Sequence, residues 1–119
     1  MATREVLPPT TTYNAPFQAG AALSDPVNLT GSLLAIGVPA NWMPAILTFQ
    51  ISPDNGVTWF DLMDTTNTEV AYNVTPGSLF TVVTNSPLDN KAWIKFRSGT
   101  SRYPVVQPGA TALTLIASA

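Results

Sequence analysis

The chain contains no cysteine and no histidine. Without cysteine there is no disulfide framework, no thiolate nucleophile and no thiolate-bound metal. Without histidine, the commonest general acid–base group and the commonest metal ligand are missing together. Catalytic triads that use an imidazole and HExxH zinc sites are therefore excluded. Charge is scarce as well. Five Lys+Arg and seven Asp+Glu make up 10% of the chain, against about 25% in an ordinary domain. A lone monomer normally dresses its surface in charge, so this scarcity fits a protein packed against neighbours. The net charge of −2 is too small to draw nucleic acid to the whole surface. No apolar run approaches the roughly 18 residues of a membrane helix, and the first residues lack the apolar run of a signal peptide. No enzyme activity, cofactor, metal, membrane or nucleic acid is expected.

What is present reads as one all-β domain. The 119 residues suffice for a core that removes about two thirds of the unfolded chain's surface from water. Turn residues cluster at 30–32, 53–56, 65–67, 75–78, 85–90, 98–100 and 107–109. Between them lie short runs of Val, Ile, Leu, Phe, Trp, Tyr and Thr, residues that suit a pleated, half-buried surface. Strands are expected near 33–38, 45–52, 57–63, 69–74, 79–84, 91–98 and 111–117, with weaker ones near 4–7, 17–22 and 26–29. At most a single helical turn is expected, around 40–43. Short strands at this spacing predict a single antiparallel β-sandwich, jelly-roll-like in wiring. In Ala45-Ile46-Leu47-Thr48-Phe49-Gln50-Ile51 the odd positions form one apolar face, which should enter the core.

Residues 1–18 are expected to form an extended N-terminal arm, and 19–119 the sandwich. Pro8, Pro9, Pro16 and Thr10-Thr11-Thr12 favour extended backbone. The arm either lies on a neighbouring subunit or docks on its own body. Pro8, Pro9 and Tyr13 are its candidate partner-binding residues. Deletion of residues 2–16 is expected to leave the fold intact.

The sharpest local motif is Ser52-Pro53-Asp54-Asn55-Gly56-Val57-Thr58-Trp59. Asp54 should accept backbone N–H bonds across a tight hairpin turn, and Gly56 should supply a positive φ. Trp59 should fold its ring into the core. A calcium site is not expected there, since Asp54 is the loop's one carboxylate. Ser52, Asp54, Gly56, Thr58 and Trp59 fit the pattern Ser-x-Asp-x-Gly-x-Thr-Trp, which resembles the Asp-box of sialidases and other carbohydrate-active β-proteins. In those families the motif is structural, and the resemblance implies a stitched hairpin rather than catalysis. Asp61 and Asp64 could be taken for a glycosidase acid pair, but both are expected to be exposed turn residues.

The second signal is a face. In Lys91-Ala92-Trp93-Ile94-Lys95-Phe96-Arg97-Ser98, odd positions give a basic-aromatic stripe and even positions an apolar one. With Arg102 nearby, four of the five basic residues fall between 91 and 102. All seven acids lie between Glu5 and Asp89, so the molecule is expected to have an acidic body and one basic edge. Lys91, Trp93, Lys95, Arg97 and Arg102 are candidate partner-binding residues. Three readings stay open: a solvated face with stems snorkelling over Trp93, contact with an acidic protein patch, and a platform for glycan or single-stranded nucleic acid. Trp42, Trp59 and Trp93 could line a sugar site or serve as core and interface residues.

The stretch from Pro26 through Thr30-Gly31 and Leu33-Leu34-Ala35-Ile36-Gly37-Val38 to Trp42 and Ala45–Ser52, with Trp93–Thr100, Pro104–Gln107 and Leu113–Ile116, resembles small β-sandwich virion structural proteins of tailed bacteriophages. The similarity spans most of residues 25–117. It implies a capsid decoration (cement) protein, made in the bacterial host cytoplasm and carried on the capsid exterior. Its implied partners are the major capsid protein and copies of itself, a trimer at three-fold positions being the expected oligomer. The alternative is a glycan-binding β-sandwich module of a phage tail or head spike. No catalytic residue carries over, because decoration proteins share no catalytic site.

Overall fold

Alternation sets the strands. A computed structural model of the chain describes residues 10–82 and 93–118, and no helix occurs among them. In β8 (Thr111–Ser118) the inward positions Leu113, Leu115 and Ala117 are fully buried, and Thr114 between them is exposed. β1 (Thr10–Phe17) pairs antiparallel with β8 along its whole length, from Thr10 opposite Ser118 to Phe17 opposite Thr111. β3 (Leu33–Gly37) flanks β8 on its other side, and β6 (Leu79–Thr81) closes that sheet, in the order β1-β8-β3-β6. Between Leu33 and Ala35 the register with β8 shifts, so Leu34 is an extra residue that bulges outward.

The second sheet has the order β2-β7-β4-β5, from β2 (Val27–Asn28), β7 (Trp93–Ser98), β4 (Leu47–Ser52) and β5 (Phe60–Asp61). The pairs β1–β8, β2–β7, β3–β6 and β4–β5 are each adjacent, so the chain is one long hairpin rolled over itself. That is jelly-roll wiring, and the two sheets make a single antiparallel β-sandwich. Phe49 and Phe96 meet edge to face at 5.4 Å between the sheets, and Tyr72 packs on Phe49 at 5.6 Å. Trp42 packs on Phe17 at 5.1 Å and is buried. Such aromatic pairs add to the burial of apolar area around Leu29, Leu33, Ile36, Leu47 and Ile94. Gly31, at φ +80°, lets the chain pass against the Ser118 carbonyl, where a Cβ would overlap that oxygen.

Over residues 10–17 the expected arm takes the second of its two placements, docking on its own body as a strand of the first sheet. Ala15 and Phe17 are core residues, and Tyr13 packs against the core while its hydroxyl shares a 2.7 Å hydrogen bond with Thr30 Oγ1. β1 is an edge strand, which is where a strand tolerates Pro16. The boundary between arm and sandwich therefore cannot fall at residue 18, and deletion through residue 16 would remove most of a strand. Pro8 and Pro9, and the weak strand expected at 4–7, lie outside the described residues.

Other expectations shift less. The apolar face of β4 enters the core through Leu47 and Phe49, as its alternation predicts. The strand expected at 57–63 shortens to Phe60–Asp61. The one at 69–74 becomes a loop that touches β4 through a single bridge, Leu47 to Tyr72, with both backbone bonds at 2.9 Å. Around 40–43 there is one turn, closed by Trp42 N–H to Pro39 O at 3.2 Å.

Candidate binding face

The turn after β4 folds as its motif predicts. Asp54 Oδ1 accepts the Thr58 N–H at 2.7 Å and the Ser52 hydroxyl at 2.8 Å. Ser52 Oγ in turn accepts the Gly56 N–H at 2.7 Å. Hydrogen bonds from Thr58, side chain first and then backbone, hold the Asp54 carboxyl below the ordinary aspartate value. Gly56 takes φ +89°.

Trp59 is a correction: it is half-buried on the outer surface of the second sheet. The outward Lys95 places its ammonium over the Trp59 ring, so Trp59 lies on the same outer face. The Trp59 indole N–H donates to Gly56 O at 3.1 Å, a bond that tethers the ring to the turn. Trp93 lies beside it, since a Cβ on Gly56 would touch the Trp59 ring at 3.8 Å and the Trp93 ring at 4.0 Å.

β7 shows the expected two faces, with Ile94, Phe96 and Ser98 inward and Trp93, Lys95 and Arg97 outward. Cross-strand pairing sets these outward residues in rows. Asn28, Trp93 and Ser52 form one row; Lys95, Gln50 and Asp61 form the next. The Lys95 ammonium sits 4.5 Å from the centre of the Trp59 ring.

Two parts of the basic-edge expectation are corrected. β7 lies between β2 and β4, so the stripe occupies the middle of a sheet. Arg97 is also no exposed cation. It is buried, donating from Nη2 to Asp61 Oδ1 at 2.6 Å and from Nη1 to Glu69 Oε2 at 3.2 Å. Glu69 also accepts the Ser101 N–H at 3.2 Å, and Gln50 donates to Asp61 at 3.4 Å. Asp61 is thus a half-buried strand residue rather than an exposed turn residue. Asp64 is exposed and accepts from Thr66 and Thr68 within its own loop; the Thr66 hydroxyl is the main cause holding its carboxyl low. Arg102 is exposed beside Tyr103 in the β7–β8 connection. Lys91 lies outside the described residues.

Sequence reasoning missed Glu69 and Gln107. Gln107 is buried; its amide accepts the Met43 N–H at 2.8 Å and donates to Met43 O at 3.1 Å and Ser98 Oγ at 2.8 Å. Neither residue has a local pattern that announces a partner this far along the chain.

The two sheets differ sharply in charge. β1, β8, β3 and β6 contain no Asp, Glu, Lys or Arg, whereas the second sheet carries Asp61, Lys95 and Arg97. The outer face of the first sheet presents Thr12, Asn14, Thr114, Ile116 and Thr81. At its β6 side Leu79 is 60% exposed, and Leu34 at the bulge is 41% exposed. Comparison of the chain with protein-family models, with curated proteins and with solved structures found no match in any of the three.

Proposed function

We propose that the protein is a structural component of a phage particle, a capsid decoration protein that seats the outer face of its β1-β8-β3-β6 sheet against capsid subunits. The observation that carries this reading is the complete lack of charge in those four strands. A sheet face left to water usually alternates apolar-in with charged-out residues. Here the outward positions are Thr, Asn, Ala, Ile and Leu, which lose little when water is removed and have no unpaired charge to bury.

Size limits what this face can do by itself. The four strands hold 8, 8, 5 and 3 residues; at about 3.4 Å per residue and about 4.8 Å between strands they cover roughly 400 Å². Two such faces bury about 800 Å² in total, below the roughly 1,000 Å² of a specific interface. Occupancy would then rest on several neighbours at once, as on a lattice of subunits.

The test is to place a charge on this face without disturbing the core. Thr114→Lys and Thr12→Glu change exposed positions, and each should leave the melting temperature within a few degrees. Both variants should be depleted from particles assembled in their presence. Wild-type occupancy by both folded variants would refute the seating face.

A further inference from the structure

Among the described residues, the second sheet carries a cation without an ion-pair partner. Of the described cations Lys95, Arg97 and Arg102, ion pairs are made by Arg97. Asp61 lies two strands from Lys95 in the same cross-strand row, yet it is taken by Arg97 and Gln50. Glu69 is taken by Arg97 and the Ser101 N–H. Arg97 therefore takes up Asp61 and Glu69, and the Lys95 ammonium stays over the Trp59 ring. An ammonium held on an indole keeps its outward side available to an anion.

What surrounds that cation narrows the ligand. Trp93 offers a half-exposed indole one row away, and Asn28 offers an exposed amide next to it. Gln50 lies directly beside Lys95. A flat apolar ring, a fixed cation and amide groups complement a ring with a C–H face, hydroxyl edges and a carboxylate. We propose that this patch binds an acidic polysaccharide, with Trp93 under a sugar ring and Lys95 paired with a uronate- or sialate-type carboxylate. An acidic peptide fits less well. Extended peptides are captured by adding a strand at a sheet edge, and β7 is paired on both sides. Nucleic acid would need several cations along a track, where this patch has one among the described residues.

This narrows the sugar reading of the stripe to one saccharide class and stands independently of the capsid reading, since it uses the opposite face. The experiment uses the full chain in affinity electrophoresis and calorimetry against polygalacturonate, alginate and polysialate. Fully methyl-esterified polygalacturonate serves as the same sugar with its charge removed. At least one acidic polymer should bind, more weakly as salt rises. For polygalacturonate, esterification should weaken binding about tenfold, the order of one charge-assisted contact. Lys95→Met should lose a similar factor while keeping its melting temperature, and Trp93→Ala should lose binding of the acidic and the esterified polymer alike. The proposal is overturned if none of the three acidic polymers binds at millimolar sugar, or if the esterified polymer binds as well as the free acid. It is also overturned if Lys95→Met keeps full affinity. Equal binding of polyglutamate would assign the patch to carboxylates at large and overturn the saccharide claim.

Discussion

Replacing Arg97 by Met keeps most of the side chain's length and removes its guanidinium. Asp61 and Glu69 are then left facing one another with no cation between them. The side chains of Arg97, Asp61 and Glu69 are 7%, 33% and 16% exposed. Removing one partner from a fully buried ion pair costs about 3–5 kcal/mol. Water can reclaim Asp61, and Glu69 keeps the Ser101 N–H, so the cost should fall below that range, at about 2–3 kcal/mol. For a domain of this size that is a drop of roughly 10 °C in melting temperature. Urea unfolding followed by tryptophan fluorescence measures the free energy, and a thermal melt checks it. The decisive comparison adds Asp61→Asn and Glu69→Gln to Arg97→Met. Neutralising the stranded carboxylates should recover at least half of the loss, because the penalty lies in the uncompensated charge rather than in the missing arginine. A loss under about 0.5 kcal/mol for Arg97→Met, or no recovery in the triple variant, would refute the reasoning.

Four further outcomes are expected. Gln107→Leu should cost about 1–3 kcal/mol, because the part-buried Met43 N–H and the buried Ser98 hydroxyl lose their partner; a lower urea midpoint at unchanged slope would show it. Asp54 and Asp64 have carboxyls held below the ordinary value in the folded state, so their contribution is complete above the unfolded value, near pH 4, and is lost as pH falls through the folded ones. The melting temperature of the Asp54→Asn/Asp64→Asn variant should therefore fall less between pH 5 and pH 2 than that of the wild type. Gly31→Ala should destabilise by at least about 2 kcal/mol, since it combines a positive φ with overlap on the Ser118 carbonyl; a melt within a degree of wild type would contradict this. Removing residues 1–17 takes out β1 with Ala15 and Phe17 and should abolish a cooperative melt by circular dichroism.

The sandwich was legible because its signal is local. Period-two alternation in β4, β7 and β8 needs no knowledge of partners, and the Asp54 turn is written in eight consecutive residues. What was not legible depends on pairing across the chain. Nothing in Thr10–Phe17 announces that it will meet Ser118–Thr111, about a hundred residues away, so its extended character was plain and its place in the sheet was not. The residue type of Trp59 points to the core, whereas the fold sets its ring under the Lys95 ammonium on the outer face. Alternation reveals the stripe on β7 but not that Asp61 and Glu69, from other segments, pair with its Arg97. Alternation says which way Arg97 points, and only the fold says what covers it.

The most direct measurement of the proposed capsid role is the copy number of the chain in washed virus particles released by cells that produce it, by quantitative peptide mass spectrometry against the major capsid protein. A ratio near one per capsid subunit, or one per three-fold position, is the expected result. A few copies per particle, or none, would contradict a capsid decoration protein.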